Sequence, residues 1–433
     1  MKHLNFITLC LLASLTLTGC GEKPPAPAET GKPSGPEKEA SPEAAPAEVA
    51  RPAVPAAPAA EPTKPSAETA PAQNPAQEEP GPAISSAIES LTASLGYNLD
   101  GQEEGNPKAE LEKGLSLQKQ GRYTKALEIF GRAAAMKGEE KVRAEVLLEL
   151  AETYFRRGKD AQQESLEPGE VVEDPDASLE TSAVLFKEVA RRYKTELDFS
   201  TQAAYMAGSC YLLLGDHQRG LKAYKAAFEN VPRTSKYRSK ALERAGVCYA
   251  GIGNPIQARA FFEKYVRDYG ADPKFASTVT KIRNKYLPNL TLTGRPAPPI
   301  RASSWLNGHI TGGLEELRGE VVVVTFFSTW CNHCKSELPR LRKDVEKWTE
   351  RGAVFIGVAN PSDPKGKSPV DVYVKVNKVP FFDVALDEGG RSWRPYLVSG
   401  LPAAAIIDQD GILRWRGHYT FMGQSLLEEL LPE

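Results

Sequence analysis

The segment TFFSTWCNHCKSELP, from Thr325 to Pro339, contains two of the six cysteines in this chain of 433 residues. Cys331 and Cys334 have the spacing C-x-x-C and follow Trp330. The apolar run before them predicts a strand covered on both faces, and the residues after them have helical periodicity. A cysteine pair at such a junction is a redox-active dithiol, half of a metal site, or a remnant in a binding module. The compartment and the surrounding fold decide between these interpretations.

The N-terminal segment MKHLNFITLCLLASLTLTGC indicates export. The apolar stretch from Leu4 to Leu17 is shorter than the roughly 20 residues that span a bilayer, and it suits a signal peptide. It ends in Leu17-Thr18-Gly19-Cys20, which resembles the lipobox of bacterial lipoproteins. The resemblance implies a signal peptide over residues 1–19 and lipidation of Cys20. The alternative is an ordinary signal peptide that happens to contain a cysteine.

These features predict a periplasmic protein held to a membrane by its lipid. Gly21 follows Cys20, where an Asp would imply inner-membrane retention in enteric-type bacteria, so the resemblance favours the outer membrane. Disulfides persist in such an extracytoplasmic compartment. The net charge of −2 argues against nucleic acid as a partner, because phosphate binding needs a basic face.

Composition separates the next segments from the folded domains. Residues 20–82 hold 16 of the 34 prolines and no aromatic residue. Such a stretch cannot bury enough apolar surface to fold, so it is predicted to be a disordered Pro/Ala/Glu-rich linker. Residues 83–106 are predicted to be a short amphipathic helix and a connector, because four apolar residues share one helical face: Ile84, Ile88, Leu91 and Leu95.

Residues 107–286 are helical and repetitive. Four glycines mark the repeats at intervals of 37, 57 and 38 residues: Gly121, Gly158, Gly215 and Gly253. The long interval contains an acidic insertion without helical periodicity, Gln162 to Ser178. Small residues and aromatics recur at fixed positions, so the region resembles tetratricopeptide repeats. That resemblance implies an all-α solenoid that binds a protein or peptide partner; the alternative is a structural spacer.

Cys210 and Cys248 occupy the same position in successive repeats. Equivalent positions of stacked helix pairs usually lie about 10 Å apart, beyond the ~7 Å Cα separation that a disulfide allows. We therefore predict that both cysteines are buried packing residues.

Residues 287–433 alternate strand-like and helical runs, which predicts an α/β domain with a mixed sheet. Four segments occur in order there: TGRPAP (Thr293 to Pro298), TWCNHC, KSELP and VSGLPAAAIIDQDG (Val398 to Gly411). Together they resemble the thioredoxin-like family of TlpA and ResA. The resemblance implies a thioredoxin-like fold in which Cys331 attacks a disulfide and Cys334 resolves the mixed disulfide. Trp330, directly before Cys331, belongs to the same TWCNHC motif.

The resemblance also implies a cis peptide before Pro402, beside the cysteine pair. Two neighbouring residues have open roles. His333 either favours the Cys331 thiolate or faces solvent with little effect. Glu337 either accepts the proton of Cys334 or is an exposed helix glutamate. Thioredoxin itself has a buried Asp at the position of Thr325, so the proton acceptor must lie elsewhere in this chain.

We therefore expect a multidomain, lipid-anchored thiol–disulfide oxidoreductase that reduces protein disulfides. Its electrons would come from an inner-membrane or periplasmic thiol donor. The alternatives are an envelope assembly scaffold with a non-catalytic thioredoxin fold, and a disulfide oxidase or isomerase. No cofactor is expected. A metal site is not expected either, because only His333 adjoins the pair and no second C-x-x-C exists.

Overall fold

The computed structural model describes residues 96, 98–99, 101–361 and 369–431. The predicted signal peptide, Cys20, the linker and the four apolar positions from Ile84 to Leu95 lie outside these residues. All described residues belong to one compact unit, Ala76–Glu433. No helix in the described part of the chain has the length and hydrophobicity needed to cross a membrane.

The repeat domain consists of helices that each pack mainly against the next one along the chain. In order they are α1 Pro107–Lys119, α2 Tyr123–Ala135, α3 Glu140–Gln162, α4 Pro175–Arg192, α5 Leu197–Leu213, α6 His217–Ala226, α7 Arg238–Gly251 and α8 Pro255–Tyr269. A terminal helical segment follows, comprising a 3-10 turn Pro273–Phe275, α9 Ala276–Lys281, a π turn Ile282–Tyr286 and α10 Leu287–Leu290. This confirms the predicted helical repeat architecture.

Glycines at one repeat position let paired helices approach closely. A Cβ atom at Gly208 would lie 2.7 Å from the ring of Tyr224, and one at Gly246 would lie 2.6 Å from Phe262. Each aromatic ring therefore fills the space that the missing side chain leaves. Cys210 and Cys248 are fully buried and form no disulfide, as predicted.

Two boundaries differ from the prediction. The terminal helical segment continues through Leu287–Leu290, past the expected limit at residue 286, because Leu287 and Leu290 pack against the core of the last repeats. The acidic insertion also ends earlier than expected. Helix α4 begins at Pro175 because the Asp174 carboxylate accepts hydrogen bonds from the amides of Asp176 at 2.9 Å and Ala177 at 3.1 Å.

The C-terminal domain is a mixed sheet with helices on its faces. Its strands are β1 Arg295–Pro296, β2 Ser304–Trp305, β3 Val321–Phe327, β4 Ala353–Ala359, β5 Asp383–Leu386, β6 Ala403–Ile407 and β7 Ile412–His418. Its helices are α11 Asn332–Ser336, α12 Leu338–Thr349, α13 Val370–Val376 and α14 Gln424–Leu430. The spatial order of the strands is β1-β7-β6-β3-β4-β5-β2.

The central strand β3 is buried along its whole length. It runs parallel to β4 and antiparallel to β6, and separate apolar clusters cover the two faces of the sheet. The mixed sheet predicted from the apolar runs is therefore confirmed. The sequence patterns did not reveal β5, α13 or the two-residue edge strands β1 and β2. All four elements are too short to show a hydrophobic period.

The two domains contact each other through the turns of the repeats. The amide of Gln424 donates a hydrogen bond to the Gly215 carbonyl at 3.3 Å. A Cβ atom at Gly423 would lie 2.2 Å from the carbonyl oxygen of Gly251. The start of α14 and the residue before it therefore lie against the turn at Gly215 and the end of α7, in two successive repeats.

Candidate active site

The cysteine pair lies where β3 gives way to α11. Cys331 is the N-cap residue of α11, and its sulfur accepts a hydrogen bond from the Cys334 amide at 3.0 Å. The two sulfurs form a disulfide with a Cα–Cα distance of 5.2 Å, within the usual range. Cys331 and Cys334 are only 5% and 6% exposed. The strand thus brings the pair to the end of the sheet, and the helix directs an amide at the first sulfur.

The peptide bond between Leu401 and Pro402 is cis. Pro402 immediately precedes β6, which pairs with β3, and it lines a small cavity together with Cys334. The Pro402 carbonyl accepts a hydrogen bond from the Tyr419 amide at 3.2 Å. The structure therefore brings this proline, which lies 68 residues beyond Cys334 in the sequence, next to the disulfide.

Glu337 lies behind Cys334 and is 9% exposed. Both side chains border the same cavity of about 20 Å³, which has room for one water molecule. Thr325 and Tyr373 also line this cavity, and neither hydroxyl has a hydrogen-bond partner among the described residues. Glu337 is therefore not the exposed helix glutamate of the alternative interpretation.

A hydrogen-bond network holds Glu337 in place. The Thr420 hydroxyl donates to Glu337 Oε1 at 2.7 Å, and Arg340 Nη1 donates to the Thr420 carbonyl at 2.9 Å. Burial alone would lower the pKa of Arg340, but the carboxylates of Asp344 and Glu337 raise it above its usual value. The guanidinium therefore stays charged beneath the site.

The same network continues along α12. Asp344 accepts hydrogen bonds from the Tyr419 hydroxyl at 2.7 Å and from Gln424 Nε2 at 3.0 Å. Trp348 Nε1 donates to Gln424 Oε1 at 2.7 Å. None of these residues was predicted from the sequence, because the partners lie about 75 to 80 positions apart and carry no local motif.

Three basic residues line a cleft together with His333: Lys285, Arg416 and His418. His333 is exposed, as in the solvent-facing interpretation. His418, at the end of β7, is largely buried, and burial followed by the charge of Lys285 lowers its pKa to about 4. Burial also lowers the pKa of Arg416 to about 10. Sequence reasoning missed Lys285, Arg416 and His418, because the first comes from the repeat domain and the other two from β7.

Three segments of the chain match known families. Residues 293–416 match the AhpC/TSA family. Residues 111–177 and 202–234 each match a tetratricopeptide repeat family. The matched segments coincide with the sheet domain that carries the disulfide and with the helical repeats before it.

Individual curated proteins match about a third of this chain or less. The chain is 27% identical to protein FixW of Rhizobium leguminosarum over 32% of its length and 64% of that protein. It is 33% identical to the thiol-disulfide oxidoreductase ResA of Bacillus thuringiensis subsp. konkukian over 28% of its length and 66% of that protein. It therefore spans just under two thirds of these curated relatives.

A solved structure from Chlorobium tepidum TLS is also similar. It is described as a thiol:disulfide interchange protein of the thioredoxin family. The two chains are 24% identical, with a TM-score of 0.26, over 31% of this chain and 94% of that one.

Proposed function

We propose that this chain is a thiol–disulfide oxidoreductase. The match of residues 293–416 to the AhpC/TSA family, after residues that match tetratricopeptide repeats, supports this proposal. The disulfide of Cys331 and Cys334 carries the proposal. It lies at a strand-to-helix junction beside cis-Pro402, with an amide directed at the first sulfur and a carboxylate behind the second. This arrangement supplies each group that disulfide exchange needs.

The first step is attack by the reduced protein on a substrate disulfide. The Cys331 thiolate bonds to one substrate sulfur, and the other substrate sulfur leaves as a thiolate. The Cys334 amide, 3.0 Å from Cys331 Sγ, stabilises the attacking thiolate. A substrate strand pairs with the backbone of Leu401, the residue before the cis peptide bond.

The second step releases the substrate. Cys334 loses its proton and attacks Cys331 Sγ, so that the internal disulfide forms and the second substrate sulfur leaves as a thiolate. Glu337 accepts the Cys334 proton through the small cavity that both side chains border. The substrate gains two electrons, and a dithiol donor must then reduce the Cys331–Cys334 disulfide again.

We infer that the pair acts as a reductant. A strongly oxidising pair needs a reduced form that is stabilised as thiolate. Here both sulfurs are buried, and burial disfavours the thiolate. The exposed His333 side chain gives little added stabilisation. The electrons would come from a periplasmic or inner-membrane thiol donor.

The reduction potential of the full chain tests the direction. The protein is equilibrated with thiol buffers, and the free thiols are measured by alkylation and mass spectrometry. A value near that of thioredoxin, about −270 mV, supports the reductant, whereas a value near −120 mV indicates an oxidant or isomerase. If the Cys331–Cys334 disulfide cannot be reduced and reoxidised reversibly, the oxidoreductase is contradicted and the non-catalytic scaffold is the remaining function.

Trapping separates the roles of the two cysteines. Cys334→Ser should accumulate mixed disulfides with substrate proteins, because the resolving thiol is gone. Cys331→Ser should accumulate none, since the attacking thiol is missing. Equal trapping by both variants, seen on non-reducing gels, contradicts the assigned order of attack.

We also propose that Cys20 is lipidated and anchors the protein in the outer membrane, with its folded domains in the periplasm. The lipobox-like sequence before Cys20 supports this proposal. Mass spectrometry of the N-terminal peptide from the native protein should detect acyl chains on Cys20. An unmodified Cys20, or an uncut N-terminus, contradicts the anchor. The repeats are proposed to bind a protein partner.

A further inference from the structure

We propose that a cleft between the two domains binds an acidic segment of the substrate protein, next to the cysteine that reacts with Cys331. The junction cleft has a volume of about 350 Å³ and is lined chiefly by Arg244, Lys285, Tyr286, His333, Arg416 and Phe421. The first three belong to the repeat domain and the others to the thioredoxin-like domain. The inference rests on the proposed function, because it states what chemistry flanks the reacting cysteine.

The cleft opens beside the disulfide. His333, which lines it, lies between the two cysteines in the sequence. His418 also lines it and pairs across the sheet with Ala403, the residue that follows cis-Pro402. A ligand in the cleft therefore lies within one or two residues of the reacting sulfur.

The repeat domain places a cation beside the substrate-binding edge. A Cβ atom at Gly400 would lie 3.4 Å from Lys285 Nζ. Gly400 is adjacent to Leu401, whose backbone is proposed to pair with the substrate strand. A substrate segment extending from that strand therefore reaches the Lys285 ammonium group.

The positive charge of the cleft is not neutralised within the described residues. Burial, then the charges of Arg416 and Lys281, lower the pKa of Lys285, and no carboxylate opposes them. Arg416 is 5% exposed and donates only to backbone carbonyls, those of Tyr396 at 2.7 Å and Leu397 at 3.0 Å. Its Nη1 atom has no partner in the described part of the chain.

One neighbouring cation is already paired. Lys281 Nζ lies 2.5 Å from Glu243 Oε1, so the pair adds little net charge to the cleft. Burial would lower the pKa of Arg244, but the same Glu243 carboxylate raises it. Lys285 and Arg416 have no such carboxylate beside them among the described residues and form the uncompensated part. A buried cation without a counter-ion is unfavourable, and a carboxylate in the cleft would relieve this by pairing with it.

The walls of the cleft are aromatic. The rings of Phe262 and Tyr286 stack at 4.9 Å, and the Arg244 guanidinium lies 4.8 Å from the centre of the Phe421 ring. Such walls favour an extended peptide with apolar side chains over a bare inorganic anion. The combination of apolar walls and unpaired cations selects a peptide that carries Asp or Glu near its cysteine.

The test measures binding of short fluorescent peptides to the full chain by anisotropy. In the probe, serine replaces the reacting cysteine and glutamates flank it; the comparison peptide has glutamines instead. The glutamate peptide should bind about tenfold more tightly at low salt, which corresponds to ~1.4 kcal/mol, and the difference should shrink as salt is added. Equal affinities, or no binding of either peptide, overturn the proposal.

Variants at one turn of the terminal helix provide the control. Lys285→Gln should remove most of the preference for glutamate, and Lys285→Glu should reverse it in favour of a lysine peptide. Arg283→Gln removes the same charge from an exposed position nearby and should leave the preference intact. If Arg283→Gln acts like Lys285→Gln, only the overall charge matters and the cleft is not the site. If inorganic phosphate displaces the peptide completely, the cleft binds anions in general, and the proposed peptide site is also contradicted.

A separate readout distinguishes failure of this inference from failure of the proposed function. The wild-type protein is assayed for reduction of a small neutral disulfide, which does not fill the cleft. If the protein reduces this disulfide but shows no preference for the glutamate peptide, the oxidoreductase function stands and the proposed binding of an acidic segment is wrong. A glutamate preference without turnover retains the binding site on a non-catalytic scaffold and overturns the oxidoreductase.

Discussion

Thr420 donates a hydrogen bond to Glu337 at 2.7 Å, although the two residues are 83 positions apart. This bond joins the helix that follows the cysteine pair to the chain beyond β7. It holds a carboxylate against the cavity that also borders Cys334. The position of the carboxylate suits proton transfer from the resolving thiol.

Glu337→Gln should slow the resolution of mixed disulfides about a hundredfold near neutral pH, the lower end of the range for general base catalysis. The deficit should narrow as pH rises, because Cys334 then loses its proton to solvent. The rate is measured by stopped-flow release of a fluorescent thiol. Glu346→Gln, on the exposed face of α12, serves as the matched control. A deficit that is the same at every pH indicates a structural effect rather than proton transfer.

His418 should make the stability of the C-terminal domain depend on pH. Burial and Lys285 lower its pKa from 6.5 to about 4, so the unfolded chain binds a proton more readily than the folded one. The stabilisation is therefore complete above pH 6.5 and is lost progressively between 6.5 and about 4. The full loss is at most roughly 3 kcal/mol.

His418→Asn should flatten the fall in melting temperature over this range, because the titrating group is gone. Burial also lowers the pKa of the buried His217. It therefore adds a decrease in melting temperature on acidification, in the wild type and in His418→Asn alike. His309→Asn, at an exposed position, is the control and should keep the wild-type slope. An unchanged slope in His418→Asn shows that other groups cause the acid sensitivity.

Much of this arrangement could be predicted from local sequence. The offset of 38 residues between repeats revealed the helical pairs, and the apolar run before Cys331 revealed the central strand. The spacing of Cys331, Cys334 and Pro402 matched a known pattern, which led to the residues that the fold brings together. In each case a short segment contained the whole signal, either as a period or as a motif.

The remaining features depend on contacts between distant segments. The bond from Thr420 to Glu337 and the approach of Lys285 to Gly400 arise only when strand β7 and the repeat domain dock beside the cysteine pair. No periodicity records such a contact. The continuation of the terminal helix through Leu290 was also missed, since its leucines pack on a tertiary core rather than following a repeat.

Gly246→Ala should destabilise the repeat domain. A Cβ atom there would lie 2.6 Å from Phe262, and overpacking of this kind costs about 1–3 kcal/mol, more than the ~1 kcal/mol that alanine gains in helix propensity. Urea unfolding followed by circular dichroism measures the change. Gly220→Ala is the control, because its nearest contact would be an ordinary 3.4 Å to Cys248 Sγ, so it should be neutral or stabilising.

A second substitution tests whether this clash is the cause. Phe262→Leu in the Gly246→Ala background should recover part of the lost stability, because the smaller side chain makes room for the new methyl group. The two changes would then be non-additive, as expected of residues in contact. Strict additivity of the two free-energy changes contradicts the proposed packing of glycine against the aromatic ring.

Gly423→Ala should loosen the contact between the two domains. The added Cβ atom would lie 2.2 Å from the Gly251 carbonyl oxygen, and two backbones cannot give way as a flexible side chain can. The φ angle of Gly423 is −78°, which alanine adopts freely, so the effect is purely steric.

Limited proteolysis between residues 291 and 303 should become faster in Gly423→Ala, and glutamate peptides should bind the junction cleft more weakly. Ser425→Ala, which removes a buried hydroxyl without a partner among the described residues, should change neither. If Gly423→Ala leaves both readouts at the wild-type level, the turns of the repeats do not hold the thioredoxin-like domain in place.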